Sequence, residues 1–142
     1  MKKSTQFLIF ILLIPFSTIS IAEKDARQLV KMPEMMQNHM KSNMRDHLVA
    51  LNEILVSLSN KEMDKAADIA EHRLGMSSLT SHGADHMGKF MPEGMQNAGT
   101  QMHKSASRFA LKAQEGELQP AYKSLSDITA ACIACHSAYR IQ

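Results

Sequence analysis

Cys132-Ile133-Ala134-Cys135-His136 sets two thiols and an imidazole within five residues and uses both Cys of the chain. Residues three apart on a helix share a face, so both sulfurs can reach the vinyl groups along one porphyrin edge. His136, four residues after Cys132, can then turn a ring nitrogen to the iron as proximal ligand. This C-x-x-C-H spacing is the pattern for covalent attachment of one haem c. Two other chemistries use a C-x-x-C pair. A thioredoxin-type dithiol wants a strand-to-helix turn in a βαβ setting, and no strand pattern precedes this pair. A zinc site wants a second ligand pair at matching spacing, which the His-rich part of the chain does not present in a standard form.

What stands on the other side of the iron decides the chemistry. The chain has 12 Met and 7 His but only seven Phe and Tyr together and no Trp. Soft Met side chains suit packing against a planar apolar object. Met36, Met40 and Met44 recur at steps of four near the start of the first helical stretch, so any of them can face the iron. His39 and His47 fall off that stripe and are weaker candidates. Met102, His103 and the stretch from His82 to Met95 are further alternatives. His82 and His86 with Met87, Met91 and Met95 also suggest a separate copper site, since thioethers and imidazoles suit soft copper ions.

The elements that must position these residues are helices. Met36, Met40, Met44, Leu48, Leu51, Leu55 and Leu58 mark one apolar stripe, which predicts a helix over 34–59 after Pro33. Asn60 is the expected N-cap of a second helix over 61–74, or on to Leu79, with Met63, Ala66, Ala67, Ala70 and Leu74 inward. Between Gly75 and Gly99 lie five of the six glycines, a pattern of a long structured loop. A third helix runs from Met95 through Ala113 to Gly116, and a fourth from Leu118, with Pro120 in its first turn, through Tyr139. No segment alternates with a period of two, so no sheet is expected. The fold class is all-α, an antiparallel up-down-up-down four-helix bundle holding one covalent haem c. In that topology the start of the first helix, the loop, the start of the third helix and the end of the fourth meet at one end of the molecule.

Lys2 and Lys3, the apolar run from Phe7 to Phe16, and Ser20-Ile21-Ala22 have the form of an export signal cleaved after residue 22. The run is too short for a spanning helix, which needs about 20 apolar residues. The expected division is therefore a signal peptide over 1–22 and a four-helix cytochrome c domain over 23–142, in the periplasm, with no stable membrane insertion after cleavage. Loss of two Lys leaves 14 basic against 14 acidic residues. Nucleic-acid binding, which depends on a basic patch or stripe, is not expected.

A chain of this size with its C-x-x-C-H in the last helix, followed by Tyr139-Arg140, resembles the cytochrome c-prime superfamily. Met40-Lys41-Ser42-Asn43 followed by Arg45 is similar to the first-helix motif of its low-spin, cytochrome c556-like branch. The resemblance implies Met40 as distal iron ligand, Arg140 as a basic group beside the haem, and a homodimer through the first two helices. The outward faces of those helices show no obvious second apolar stripe. Arg45 or Arg140 can balance the haem propionates.

Two axial ligands saturate the iron, and that favours one-electron carriage between redox partner proteins over catalysis. The expected function is thus an exported mono-haem electron carrier, not an enzyme. The alternative from a different class is a five-coordinate haem protein binding nitric oxide or carbon monoxide. A peroxidase would need a distal acid-base pair, for which His39 or His47 would have to rotate off the polar side of the first helix.

Overall fold

The computed structural model of the chain describes residues 24–142. The expected signal peptide lies outside the described residues. Five helices account for most of the described chain, which is all-α: α1 Glu34–Ser59, α2 Met63–Arg73, the one-turn α3 Ala84–Met87, α4 Glu93–Gln114 and α5 Leu118–Ala138. Short 3-10 turns at Met76–Ser78 and Gly88–Phe90 flank α3.

Prolines open two of the long helices. Pro33 (φ −55°) and Pro92 (φ −61°) stand immediately before α1 and α4, where a fixed φ is already suitable and a missing N–H leaves no gap in the ladder. Asn60 does not cap α2. Its own N–H continues the α1 ladder to the Val56 carbonyl at 3.1 Å, and left-handed Lys61 (φ 61°) then reverses the chain into Glu62, the residue preceding α2. Gly116 (φ 78°) does the same between α4 and α5, a conformation that favours glycine.

Ion pairs and contacts set the directions. Arg73, at the C-terminal end of α2, pairs with Asp46 and Glu53 of α1, while residues 60–62 join the other ends, so α1 and α2 run antiparallel. The start of α4 meets the end of α5: a Cβ on Gly94 would collide with the Tyr139 hydroxyl. α1 packs on α2, α2 on α4 and α4 on α5.

The main core joins Ile54 and Leu58 of α1, Ala66 and Ala70 of α2, Phe109 and Ala113 of α4, and Leu125 and Ile128 of α5. Its many alanines let the helices approach closely, and fully buried Phe109 fills the space between them. A second, methionine-rich cluster lies apart from it, built from Val30, Met32, Met40, Met87 and Met95, with Cys135 and Tyr139 against it.

Two expectations about α1 are corrected. Its buried residues are Met40, His47, Ala50, Ile54, Ser57 and Leu58, so the inward stripe is turned by about one residue from the expected one. Small Ala50 and Ser57 permit the close approach, and the His47 ring turns in beside those of His82 and His103. Leu48 is consequently 70% exposed and Leu55 46%, with Met44, Val49 and Val56 also exposed. The outward side of α1 is apolar after all.

A minimal sheet is also present. Gln28–Leu29 (β1) pairs in parallel with Tyr139–Arg140 (β2), Gln28 opposite Tyr139 and Leu29 opposite Arg140. α5 therefore ends at Ala138, and Tyr139 is extended (φ −129°, ψ 150°). Val30 anchors the pairing: its N–H donates to the Arg140 carbonyl at 2.8 Å, and its side chain is buried. No helix among the described residues is long and apolar enough to cross a membrane.

Candidate functional site

The last turns of α5, the early turns of α1, the start of α4 and the loop between α2 and α4 surround one cavity of about 520 Å³. Met40, Met87, Met91, Met95, Cys135 and His136 line it. The size falls within the roughly 300–1,000 Å³ of cofactor and ligand pockets. Cys132 and Cys135 are both free thiols and half-buried. Burial pushes each thiol above its ordinary pKa, so each carries less thiolate than a freely exposed cysteine. Cys135 lines the cavity, whereas Cys132, one helical turn earlier, packs against the main core. His136 is exposed at the rim.

Met40 is 7% exposed and packs in the methionine cluster together with Met87 and Met95. Met44 also lines the cavity, whereas Met36 packs against the cluster without reaching the cavity wall. Arg140 lines the cavity, and its buried Nε has no hydrogen-bond partner. Nε stands 3.5 Å from Asp25 Oδ2, an ion-pair separation without hydrogen-bond alignment, and Nη1 donates to the Gln142 carbonyl at 3.0 Å. Arg45 does not line the cavity and is exposed on α1. Sequence reasoning missed Arg27, which lines the cavity and donates to the His136 carbonyl at 3.4 Å. Its guanidinium also bonds Asp25 at 2.8 Å and holds that carboxyl down at about 2. No local pattern signals Arg27, because only the β1–β2 pairing carries it to the end of α5.

The inner wall holds three imidazoles. His47 of α1, His82 of the loop and His103 of α4 have ring centroids 4.8, 5.3 and 6.2 Å apart in pairs, and all three are buried. Burial is the main reason that all three titrate below the ordinary imidazole range, His47 down at about 4. His39 sits on the exposed side of α1, but its Nε2 donates to the His82 carbonyl at 3.0 Å, and Asn43 Nδ2 donates to the same oxygen at 3.0 Å. The expected copper constellation is split: Met87, Met91 and Met95 line the cavity with His82, while His86 is exposed and off it. Among the described residues, no three His, Cys, Asp or Glu side chains converge at coordination distance.

No known protein family, curated protein or solved structure matches the chain. The donor set must therefore speak for itself. A thiol on the cavity wall with a second one helical turn before it, an exposed imidazole beside the first, a buried thioether and a guanidinium nitrogen without a hydrogen bond, around one mostly apolar space, fit a haem c. Cys132 and Cys135 would hold it covalently, His136 and Met40 would meet the iron, and Arg140 would face its carboxylates.

Proposed function

We propose that this chain is an exported, periplasmic mono-haem c-type cytochrome that carries single electrons between redox partner proteins, in an up-down-up-down four-helix bundle. The convergence of Cys135, His136 and Met40 on one apolar cavity, with Cys132 one helical turn before Cys135, is the observation that carries this reading. It agrees with the resemblance to the cytochrome c556-like branch of the cytochrome c-prime superfamily. Bound haem supplies a one-electron iron couple, and a His/Met ligand pair raises its potential.

The chain's own residues supply the rest. The methionines of the loop and α4 exclude water from the cavity. Arg140 and Arg27 place positive charge at its mouth, where carboxylates would otherwise repel one another. Arg45, exposed and off the cavity, has no part in this and is free to meet a partner protein. The apolar outward side of α1 supports the homodimer. Nothing in this arrangement requires a catalytic group, and we class the protein as a carrier rather than an enzyme.

The test is the absorption spectrum of the full-length protein produced in a host that attaches haem c, recorded ferric, ferrous and under carbon monoxide. A low-spin spectrum with the weak far-red sulfur-to-iron band, unchanged by carbon monoxide, is expected. A high-spin spectrum that shifts under carbon monoxide would replace electron carriage with gas binding, and absence of haem would overturn the reading altogether.

A further inference from the structure

Basic and acidic side chains are sorted along the molecule. Residues 24–45, which hold β1, the approach to α1 and its early turns, carry five Lys and Arg against two Asp and Glu. Residues 46–74, the rest of α1 with α2, reverse the balance to three against six. The first stretch borders the cavity and the second extends away from it, so a balanced total charge hides a polarity. Pairing differs in the same sense. Lys65, Arg73 and Lys112, all off the cavity, are each in an ion pair with an acidic side chain. Lys31, Lys41 and Lys89 form none among the described residues.

Those three lysines come from separate stretches of chain and meet at the rim of the cavity. Lys41 of α1 lines it, and its Nζ donates to the side-chain oxygen of Gln142 at 3.4 Å. Lys31 lines a second hollow that shares Ile141 and Gln142 with the cavity. Lys89 is exposed and follows Gly88, a wall residue. No Asp or Glu lines the cavity. Asp25, the acidic side chain nearest its mouth, is engaged by Arg27 and Arg140. The rim is also partly apolar, because Leu29 is 42% exposed and lies in the second hollow with Ile141.

We propose that this rim, with Lys31, Lys41 and Lys89 and the apolar side chains of Leu29 and Ile141, is the docking surface for a redox protein that presents Asp and Glu around its own cofactor. The inference rests on the electron-carrier reading and adds the charge of the partner. Arg27 and Arg140 are set against the carboxylates of a bound haem, which leaves the charge of the three lysines for the partner. Complementary charge across an interface speeds encounter and fixes orientation. The acidic stretch 46–74 is repelled by the same partner, so the molecule approaches cavity first. Apolar side chains with charged ones around them then match the usual build of a transient interface, an apolar centre inside a polar rim.

The experiment has two readouts. The reduced, haem-loaded full-length protein is mixed in a stopped-flow instrument with hexacyanoferrate(III), an anionic oxidant, and separately with the cationic tris(phenanthroline)cobalt(III). As salt is raised from about 20 to about 500 mM, the first rate should fall about tenfold and the second should rise. Lys31→Glu and Lys89→Glu, alone and together, should flatten both trends. Lys123→Glu, exposed on α5 and off the cavity, should leave them. The second readout is retention on immobilised poly-glutamate, measured on the purified chain with or without haem, which should be lost at high salt and weakened by the first two substitutions but not by the third. Rates or retention indifferent to salt, or an equal response to all three substitutions, would overturn the proposal. Tighter retention on phosphatidylglycerol vesicles than on poly-glutamate would overturn it in favour of a membrane. The absorption spectrum tests the carrier reading by itself, and poly-glutamate tests the rim without it, so the two failures are distinguishable.

Discussion

His103 Nδ1 donates a 2.7 Å hydrogen bond to the carbonyl oxygen of Leu74, the residue that caps the C-terminal end of α2. The last carbonyls of a helix have no partner within it, so this bond satisfies one and ties α4 to α2 in a single contact. It also fixes which ring nitrogen holds the proton. A neutral imidazole is thereby part of the helix packing, and protonating its neighbours sets charge against burial.

From this follows an acid sensitivity of the fold. In the unfolded chain His47 titrates near the ordinary imidazole value, while in the folded protein it does so at about 4, first because it is buried and then because His82 and His103 lie beside it. The unfolded state therefore binds more protons between about pH 6.5 and 4, and stability must fall as pH falls through that window. The His47 contribution is fully present above about pH 6.5 and amounts to up to about 3 kcal/mol. Urea unfolding at pH 7.5, 5.5 and 4.5 should show the loss, and His47→Gln should flatten it. A midpoint independent of pH in the unsubstituted protein would contradict the assignment of neutral rings.

Gly83→Ala should destabilise the chain by about 1–2 kcal/mol, the cost of a left-handed residue with a side chain. The new Cβ would also stand 3.1 Å from His39 Nε2, pressing on the hydrogen bond to the His82 carbonyl. A fall of several degrees in the thermal midpoint is expected. An unchanged midpoint would mean that this turn is not held as described.

Much of this was legible in the sequence, and what was not had physical causes. The four long helices followed from apolar spacing and from Pro33, Gly116 and Pro120, although Pro92, read as part of the loop, in fact precedes α4, and the pattern of Cys132, Cys135 and His136 needed only local spacing. The face of α1 was misread because Leu48 and Leu55 are more apolar than His47 and Ala50, yet close packing against α2 favours the smaller residues. The His47–His82–His103 cluster joins residues far apart in the chain, and no periodicity announces it. The β1–β2 pairing, two residues long, is equally silent, and with it went the position of Arg27.

The misread face has a consequence for assembly. Leu48, 70% exposed, and Leu55, 46% exposed, stand seven residues apart on the outward side of α1 with Met44 and Val56 nearby, an apolar surface of the kind that interfaces cover. In the proposed homodimer Leu48→Glu should place a charge in the contact and convert the protein to monomer, read by sedimentation equilibrium, with the haem spectrum unchanged. A mass independent of this substitution would move the interface elsewhere or remove it.

Met40→Leu separates ligation from packing. Met40 is 7% exposed among Met32, Met87 and Met95, and leucine of similar volume there should cost less than about 1.5 kcal/mol. Leucine has no lone pair, so the haem-loaded variant should lose the far-red sulfur-to-iron band, bind carbon monoxide and show a lower reduction potential than the parent. The fold, followed by helix content and thermal midpoint, should hardly change. A variant that keeps the band would transfer the iron-facing role to Met44 or to a methionine of the loop. A parent that already binds carbon monoxide would show that Met40 is only part of the cluster.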